Sequence, residues 1–174
     1  MFETSLTLQH AAERPDLVAD PVASALPFVP EALVAEIDPD FADTEALCAE
    51  YGIPLEACAN AVVVRGVRAG TEKHVVCLTR ADRRVDVNGL VRRRLDVRKA
   101  SFSPMDHAVE ASGMECGGIT PVGAPADWPI WVDGAVADSD WVCIGSGLRR
   151  SKLFLPARAL LDLPGAERVD DLAR

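Results

Sequence analysis

Apolar positions along the first third of the chain recur at helical spacing. They predict a helix over 44–51, capped by Asp43 or Thr44 and ended by Gly52. A second, shorter helix is expected over 54–59. Helical structure is therefore expected just before the first long run of β-branched residues.

Two β-branched runs predict a hairpin. Residues 60–66 have the character of a buried strand, 69–71 of a turn, and 74–79 of the returning strand. Three later apolar runs predict further strands, over 130–133, 141–144 and 153–155.

The remaining helix signals lie around these strands. A helix is expected over 86–95, another from a Ser103 cap to Gly113, and a third over 156–163. Four prolines in residues 1–30 predict an irregular lead with at most one or two short helices. The whole pattern predicts an α+β fold around a mixed, mostly antiparallel sheet.

Length and composition are those of a single domain. The chain has 174 residues, of which 49% are hydrophobic, enough for one sizeable core and short for two. Its start lacks a basic segment followed by an apolar stretch, and no apolar run approaches the roughly 20 residues that span a bilayer. We therefore expect a cytoplasmic protein with no membrane partner.

The inventory of catalytic and metal-binding residues is small. The three histidines stand apart, the five cysteines form no C-x-x-C pair, and no serine lies in a G-x-S-x-G elbow. The sequence therefore predicts reduced core cysteines, with no metal, no cofactor and no covalent triad. Any chemistry is expected to rely on a positioned water and main-chain N–H donors.

The net charge of −9 conceals a basic middle. Residues 65–99 hold 11 basic and 4 acidic residues, whereas residues 1–64 sum to −11 and residues 100–174 to −5. This middle segment could bind phosphates, or it could be a solvated helix face that pairs with the acidic N-terminal part. Duplex binding usually needs a more broadly basic surface, so we expect no DNA partner. The cations of interest are Arg92, Arg93, Arg94, Arg98 and Lys99, with Arg149, Arg150 and Lys152 later in the sequence.

Residues 113–123, Gly-Met-Glu-Cys-Gly-Gly-Ile-Thr-Pro-Val-Gly, are the most informative segment. We call them the glycine loop. Glycine permits positive φ and lets a backbone approach a ligand with no Cβ in the way. The segment predicts a loop that lines a ligand pocket. A tight turn between a helix and a strand is the alternative.

The order of these motifs resembles the YbaK-type family of aminoacyl-tRNA deacylases, which are related to the editing domain inserted in bacterial prolyl-tRNA synthetases. The resemblance runs from about residue 43 to 172. It divides the chain into an N-terminal extension, 1–42, irregular with short helices and packed on the domain, and an editing domain, 43–174. The segments that carry it are Tyr-Gly-Ile-Pro at 51–54, Asn-Ala-Val-Val-Val at 60–64, Thr-Arg at 79–80, Asp-Val-Asn at 86–88, Lys-Ala-Ser-Phe at 99–102, Gly-Gly-Ile-Thr-Pro-Val-Gly at 117–123, Val-Asp at 132–133 and Gly-Ser-Gly at 145–147.

The resemblance implies a barrel-like α+β fold and hydrolysis of the ester that joins a wrong amino acid to the 3′ end of a tRNA. The implied partners are a mischarged tRNA similar to tRNA-Pro and, second, an aminoacyl-tRNA synthetase. Some members use no protein nucleophile, so the missing triad is compatible with the family. By resemblance the pocket would be lined by Gly117, Gly118, Ile119, Thr120 and Pro121, with Ser146 and Gly147 facing it from another strand.

The chain departs from the family pattern at Asn60. Family deacylases usually have a lysine there, at the start of the long strand, placed to meet the terminal phosphate or the substrate. An asparagine lowers a charge-assisted bond of roughly 1.5–3 kcal/mol to about 1 kcal/mol. Lys99 and Arg98 are candidates to replace the missing cation, and Asn60 could also be only a satisfied polar residue at a strand start.

Three functions are therefore open. The favoured one is a free-standing trans-editing deacylase in which Gly117, Gly118 and Asn60 form the catalytic part of the site and Lys99 helps to bind substrate. The second is a non-catalytic module that binds tRNA, an aminoacyl nucleotide or a protein. The third is a hydrolase of small esters or amides unrelated to tRNA.

Overall fold

The computed structural model describes residues 1–174. Nine strands form two sheets. The strands are β1 (Gln9–His10), β2 (Leu33–Glu36), β3 (Ala59–Arg68), β4 (Thr71–Arg80), β5 (Lys99–Phe102), β6 (Ile130–Asp133), β7 (Trp141–Gly145), β8 (Ser151–Pro156) and β9 (Ala166–Val169).

The helices are short and lie around the sheets. The longest have eight residues, and none is long and apolar enough to cross a membrane. They are α1 (Asp20–Ala25), α2 (Thr44–Tyr51), a π-helical turn (Val87–Val91) that continues into α3 (Arg92–Arg94), α4 (Met105–Ser112) and α5 (Gly134–Ala137). Six 3₁₀ turns are Ala11–Glu13, Pro15–Leu17, Leu26–Phe28, Pro39–Phe41, Leu55–Ala57 and Ala157–Asp162.

The β3–β4 hairpin is the centre of the larger sheet. Its strand order is β5-β3-β4-β6-β9, with antiparallel pairing from β5 to β4 and parallel pairing from β4 to β9. The smaller sheet has the order β1-β2-β8-β7 and is antiparallel throughout. The predicted mixed, mostly antiparallel α+β fold is confirmed.

The two sheets meet at one isolated parallel bridge, between Cys58 and Cys143. Regular strand pairing does not continue past this bridge, so the sheets do not close into a barrel. The barrel-like form expected from the resemblance is therefore not seen. Instead, β3 and β7 diverge and leave a gap between the two sheets.

Side chains along β3 and β4 pack alternately into two different cores, because successive residues of a strand point to opposite faces. Val63 and Leu78 belong to the large core, whereas Val64 and Cys77 belong to a smaller core on the other face. With both faces covered, the hairpin is a rigid support for residues at its edge.

The N-terminal extension is built into these cores. Its strand β2 pairs with β8, and Leu17, Val22 and Val34 are buried in the large core. The boundary after residue 42 stays a prediction.

Several local expectations are confirmed and others are corrected. The helix over 44–51 ends at Gly52, whose φ of 68° is the left-handed conformation that glycine favours. Residues 55–57 and 157–162 form 3₁₀ rather than α-helical turns. Ser103 does not cap α4, because Pro104 occupies the cap position and the Ser103 side chain makes no bond to the helix start.

Candidate active site

A cavity of about 320 Å³ occupies the gap between β3 and β7. β5 pairs with β3 only over residues 64–67, so the edge of β3 before that point is open. The cavity combines apolar walls with a few converging polar groups, which is the usual character of a ligand site. Its lining residues are Ala42, Asp43, Thr44, Leu47, Cys58, Ala59, Asn60, Ala61, Val62, Met105, Gly117, Ile119, Cys143, Ile144, Gly145 and Lys152.

Asn60 lies at the cavity where β3 begins. Its Oδ1 accepts a hydrogen bond of 3.0 Å from the Thr44 hydroxyl at the start of α2. The amide therefore has one fixed oxygen contact, and its NH₂ group makes no hydrogen bond within the protein. Asn60 is therefore a cavity residue whose oxygen, but not its NH₂ group, is bonded within the protein.

The glycine loop is fixed by main-chain bonds to the segment after β7. The N–H of Gly147 donates to the Gly118 carbonyl at 2.8 Å, and the N–H of Glu115 donates to the Gly147 carbonyl at 2.8 Å. Gly117 has a φ of 81°. A Cβ on Gly118 would lie 2.7 Å from the carbonyl carbon of Leu148, so the close approach requires glycine.

Lys152 is the one cation of the cavity wall, and sequence reasoning did not assign it there. It lies on β8, is only 7% exposed, and its Nζ is 3.4 Å from the carbonyl oxygen of Gly117. Its ladder partners are the small residues Gly145 and Ala35. Because paired residues share a sheet face, their small size leaves room for the lysine side chain.

Burial lowers the pKa of the Lys152 amine from its ordinary value of 10.5, since the ammonium loses its water shell. The nearby Arg149 lowers it further, and the Asp43 carboxylate opposes that effect. Asp43 and Arg149 face each other, with Oδ1 and Nη1 3.5 Å apart. The cavity therefore holds a desolvated amine, and an anionic group bound beside it would favour its charged form.

Cys58, at the floor of the cavity, and its neighbour Cys48 are not activated nucleophiles. A hydrogen bond with Cys143 and burial together raise the pKa of the Cys58 thiol. Burial also raises the pKa of Cys48 to about 12, and its sulfur lies 3.6 Å from that of Cys58. A thiolate is the reactive form of cysteine, so these thiols are inert at neutral pH.

The structure brings together only part of the predicted site. Gly117, Ile119 and Asn60 line the cavity, and Gly118 supports it through its carbonyl. Thr120 is 1% exposed inside the protein, and Pro121 borders a different cavity beside α1.

Ser146 and Gly147 also turn away from the cavity. The Ser146 hydroxyl is fully buried and bonds to the Ser151 hydroxyl at 2.8 Å. A Cβ on Gly147 would lie 2.5 Å from the Cβ of Ala19, so this glycine is required by packing against the N-terminal extension. These two residues hold the loop in place, and they do not contact the cavity space.

Lys99 does not line the cavity that Asn60 lines. It lies with Arg92 and Arg98 in a separate basic cleft along β5. Lys152 and Arg149 do not join that cleft, because Lys152 lies on β8 of the other sheet and Arg149 lies in the turn just before β8. Lys152, rather than Arg98 or Lys99, is therefore the cation that lines the cavity together with Asn60.

The position of Lys152 is unusual for a lysine, and part of the reason is visible in the sequence. It is a lone lysine beside the apolar run Leu-Phe-Leu, on a strand whose six residues are all buried. A lysine is almost never buried without a partner or a task.

Comparisons with known proteins agree with this fold. Residues 38–163 match the family model described as the aminoacyl-tRNA editing domain. No curated protein matches the chain in sequence.

Three solved structures are similar in fold. One is described as a candidate trans-editing enzyme for prolyl tRNA synthetase; it is 20% identical, with a TM-score of 0.73, and the match covers 86% of this chain and 93% of that one. Another, a scaffold for epitope backbone grafting, is 21% identical, with a TM-score of 0.74 and coverage of 87% and 95%. A hypothetical protein is 19% identical, with a TM-score of 0.70 and coverage of 81% and 90%. At such identities the likeness concerns the fold.

Proposed function

Because this chain belongs to the aminoacyl-tRNA editing domain family, we propose that it is a trans-editing deacylase that hydrolyses the ester of a mischarged tRNA. The observation that carries the proposal is the buried Lys152 ammonium beside the glycine loop, inside the cavity between β3 and β7. Lys152 supplies a cation to this site, in which Asn60 stands where the family usually has a lysine.

The cavity suits the aminoacyl group and its ester. Its volume of about 320 Å³ accepts an amino acid and leaves the ribose near the mouth. Apolar side chains such as Ile119 and Ile144 meet the substrate side chain, while Asn60 and Lys152 meet polar atoms. Binding of this kind depends on few polar groups in fixed positions.

The proposed reaction needs no protein nucleophile. A water oxygen bonds to the ester carbonyl carbon, and the carbonyl oxygen becomes an oxyanion. The bond from that carbon to the ribose oxygen then breaks, and the water's proton ends on the ribose oxygen. Lys152 stabilises the oxyanion, which forms in a poorly solvated site where a fixed charge has its largest effect.

The substrate is proposed to be tRNA-Pro carrying a wrong amino acid. The support is the likeness in fold to the candidate trans-editing enzyme for prolyl tRNA synthetase. On the same support, a prolyl-tRNA synthetase is the proposed protein partner, and the cytoplasm is the proposed location.

A deacylation time course tests the proposal. Purified protein is mixed with tRNA-Pro charged with alanine, cysteine, serine or proline, and with other correctly charged tRNAs. We expect fast loss of one mischarged ester and no loss of the correct one. Gly118→Val, which forces the loop against Leu148, should abolish hydrolysis while the circular dichroism of the fold persists. Spontaneous rates throughout, from folded protein, would reject the proposal, and turnover of generic small esters alone would indicate a different hydrolase.

One observation favours a second candidate function. Asn60 carries no charge at the family's lysine position, which fits a module that binds an aminoacyl nucleotide without hydrolysing it. Tight binding of charged tRNA with no hydrolysis in the same time course would select this function.

A further inference from the structure

A basic cleft of about 660 Å³ runs along β5, the edge strand of the larger sheet. Arg92, Arg98 and Lys99 line it and form no ion pair with a carboxylate. The Arg92 Nε donates only to the Asn88 carbonyl, at 2.9 Å. In a chain of net charge −9, three unpaired cations in one cleft form a local site for anions.

The other end of β5 reaches the mouth of the candidate active site. Phe102, its last residue, is 60% exposed. Met105 begins α4, is 53% exposed and lines the cavity. The Ser103 N–H donates to the Val63 carbonyl at 2.8 Å and ties the connecting turn to β3. Two large apolar side chains thus stand in solvent beside a cavity, without a packing role of their own.

We propose that β5 binds the single-stranded 3′ end of tRNA, and we call this surface the track. The proposal rests on the deacylase function proposed above. Arg92, Arg98 and Lys99 bind the phosphates of that 3′ end, and Phe102 with Met105 stacks its terminal base at the cavity mouth. Cations that follow the backbone and an aromatic that stacks a base are the combination by which proteins hold single strands. At about 3.3 Å per residue, Lys99 and Phe102 lie about 10 Å apart along β5. Their side chains lie on opposite faces of the strand, so a nucleic-acid strand that contacts both must follow the open edge of β5.

Salt dependence tests the phosphate contacts. The probe is uncharged tRNA-Pro, with affinity measured by fluorescence anisotropy. Three phosphate contacts give a log–log slope of about −2, or a loss of about 20-fold between 50 and 200 mM salt. Arg98→Gln should make the slope shallower by about 0.7. Arg158→Gln removes one exposed charge elsewhere, on the 3₁₀ turn after β8, and should leave the slope unchanged. A salt-insensitive affinity, or equal slopes for both variants, overturns the track.

The stacking contact is tested with the same tRNA lacking its terminal adenosine. Phe102→Ala should weaken binding of the complete tRNA by about 5- to 100-fold, the range of base–aromatic stacking. It should not weaken binding of the shortened one. Phe102→Tyr should restore affinity, and Phe28→Ala, at another exposed aromatic, should have no effect. An equal loss on both tRNAs, or no loss, overturns the stacking role.

Kinetics separate this proposal from the deacylase function. On charged tRNA, Arg98→Gln and Phe102→Ala should raise KM and leave kcat unchanged. If the wild type hydrolyses charged tRNA and both variants keep its KM and its affinity, the track is rejected and the deacylase function stands. If the wild type does not hydrolyse charged tRNA and both variants bind tRNA more weakly, the deacylase function is rejected and the track stands.

Discussion

Replacing Lys152 with methionine removes the cation of the cavity and keeps the length of the side chain. In a partly desolvated site of effective dielectric about 20, a unit charge about 4 Å from an oxyanion contributes about 4 kcal/mol. Loss of one oxyanion donor in enzymes costs about 10²- to 10³-fold in kcat. We therefore expect Lys152→Met to lower the single-turnover rate by that factor.

The assay follows release of the amino acid from mischarged tRNA with protein in excess, so that chemistry is separated from product release. Lys73→Met is the control, because Lys73 is an exposed lysine of β4 whose Nζ donates to the Leu95 carbonyl at 2.9 Å, away from the cavity. The control should keep the wild-type rate. A loss of less than about threefold in Lys152→Met would refute the oxyanion role.

The pH dependence of stability gives an independent check. The folded pKa of Lys152 lies below its unfolded value of 10.5, so between these two values the unfolded chain binds more protons. Stability of the wild type therefore rises with pH across that window. The free energy of unfolding of Lys152→Met should exceed that of the wild type most below this window, and the difference should shrink towards pH 10.5. A difference that is constant with pH would show that the amine is not desolvated.

The same shift predicts the rate profile. In the proposed mechanism the ammonium is the active form, so kcat should fall on the alkaline side at a pH below 10.5. This alkaline limb should be absent from the residual activity of Lys152→Met.

Three further predictions concern the neighbours of this lysine. Gly145→Ala would place a Cβ 2.7 Å from the Ile119 carbonyl oxygen, and should lower the free energy of unfolding in urea by about 1–3 kcal/mol, as overpacking does. Asn60→Lys combined with Lys152→Met should recover at least about tenfold of the lost single-turnover rate, because both positions line one cavity and a charge-assisted contact contributes about 1.5–3 kcal/mol. Iodoacetamide at neutral pH should label the exposed Cys116 well before Cys58, as followed by mass spectrometry, since Cys58 is 3% exposed and has a raised pKa.

Each of these predictions has a contradicting result. Unchanged stability of Gly145→Ala would mean that the glycine loop moves freely away from β7. No recovery in the double variant would mean that a cation must stand at Lys152 itself. Equal labelling of Cys116 and Cys58 would mean that the cavity floor opens in the native state.

Local sequence signals predicted the elements that depend on near neighbours. The α2 helix ends at a glycine in the left-handed conformation, and the β3–β4 hairpin follows two β-branched runs joined by a glycine turn. Strands β1, β2, β5 and β9 were not predicted. They have two to four residues, and their pairing partners lie elsewhere in the chain, as with β2 and β8.

The candidate site was only partly predictable for the same reason. The glycine loop and Asn60 were identified from local composition and from a family resemblance. Lys152 enters the cavity only because β8 pairs with β7 and places it opposite Gly145, a contact between chain segments that spacing alone does not specify. Ser146 and Gly147 belong to the same motif as Gly145, yet they pack against the N-terminal extension and do not line the cavity.

The most direct test of the central claim is the ratio of two single-turnover rates on one tRNA. Wild-type protein in excess is mixed with alanyl-, cysteinyl- or seryl-tRNA-Pro, and separately with prolyl-tRNA-Pro. The account predicts that at least one mischarged ester is hydrolysed well above its spontaneous rate while the prolyl ester is spared. Spontaneous rates for every mischarged ester, from folded protein that binds the tRNA, would contradict it.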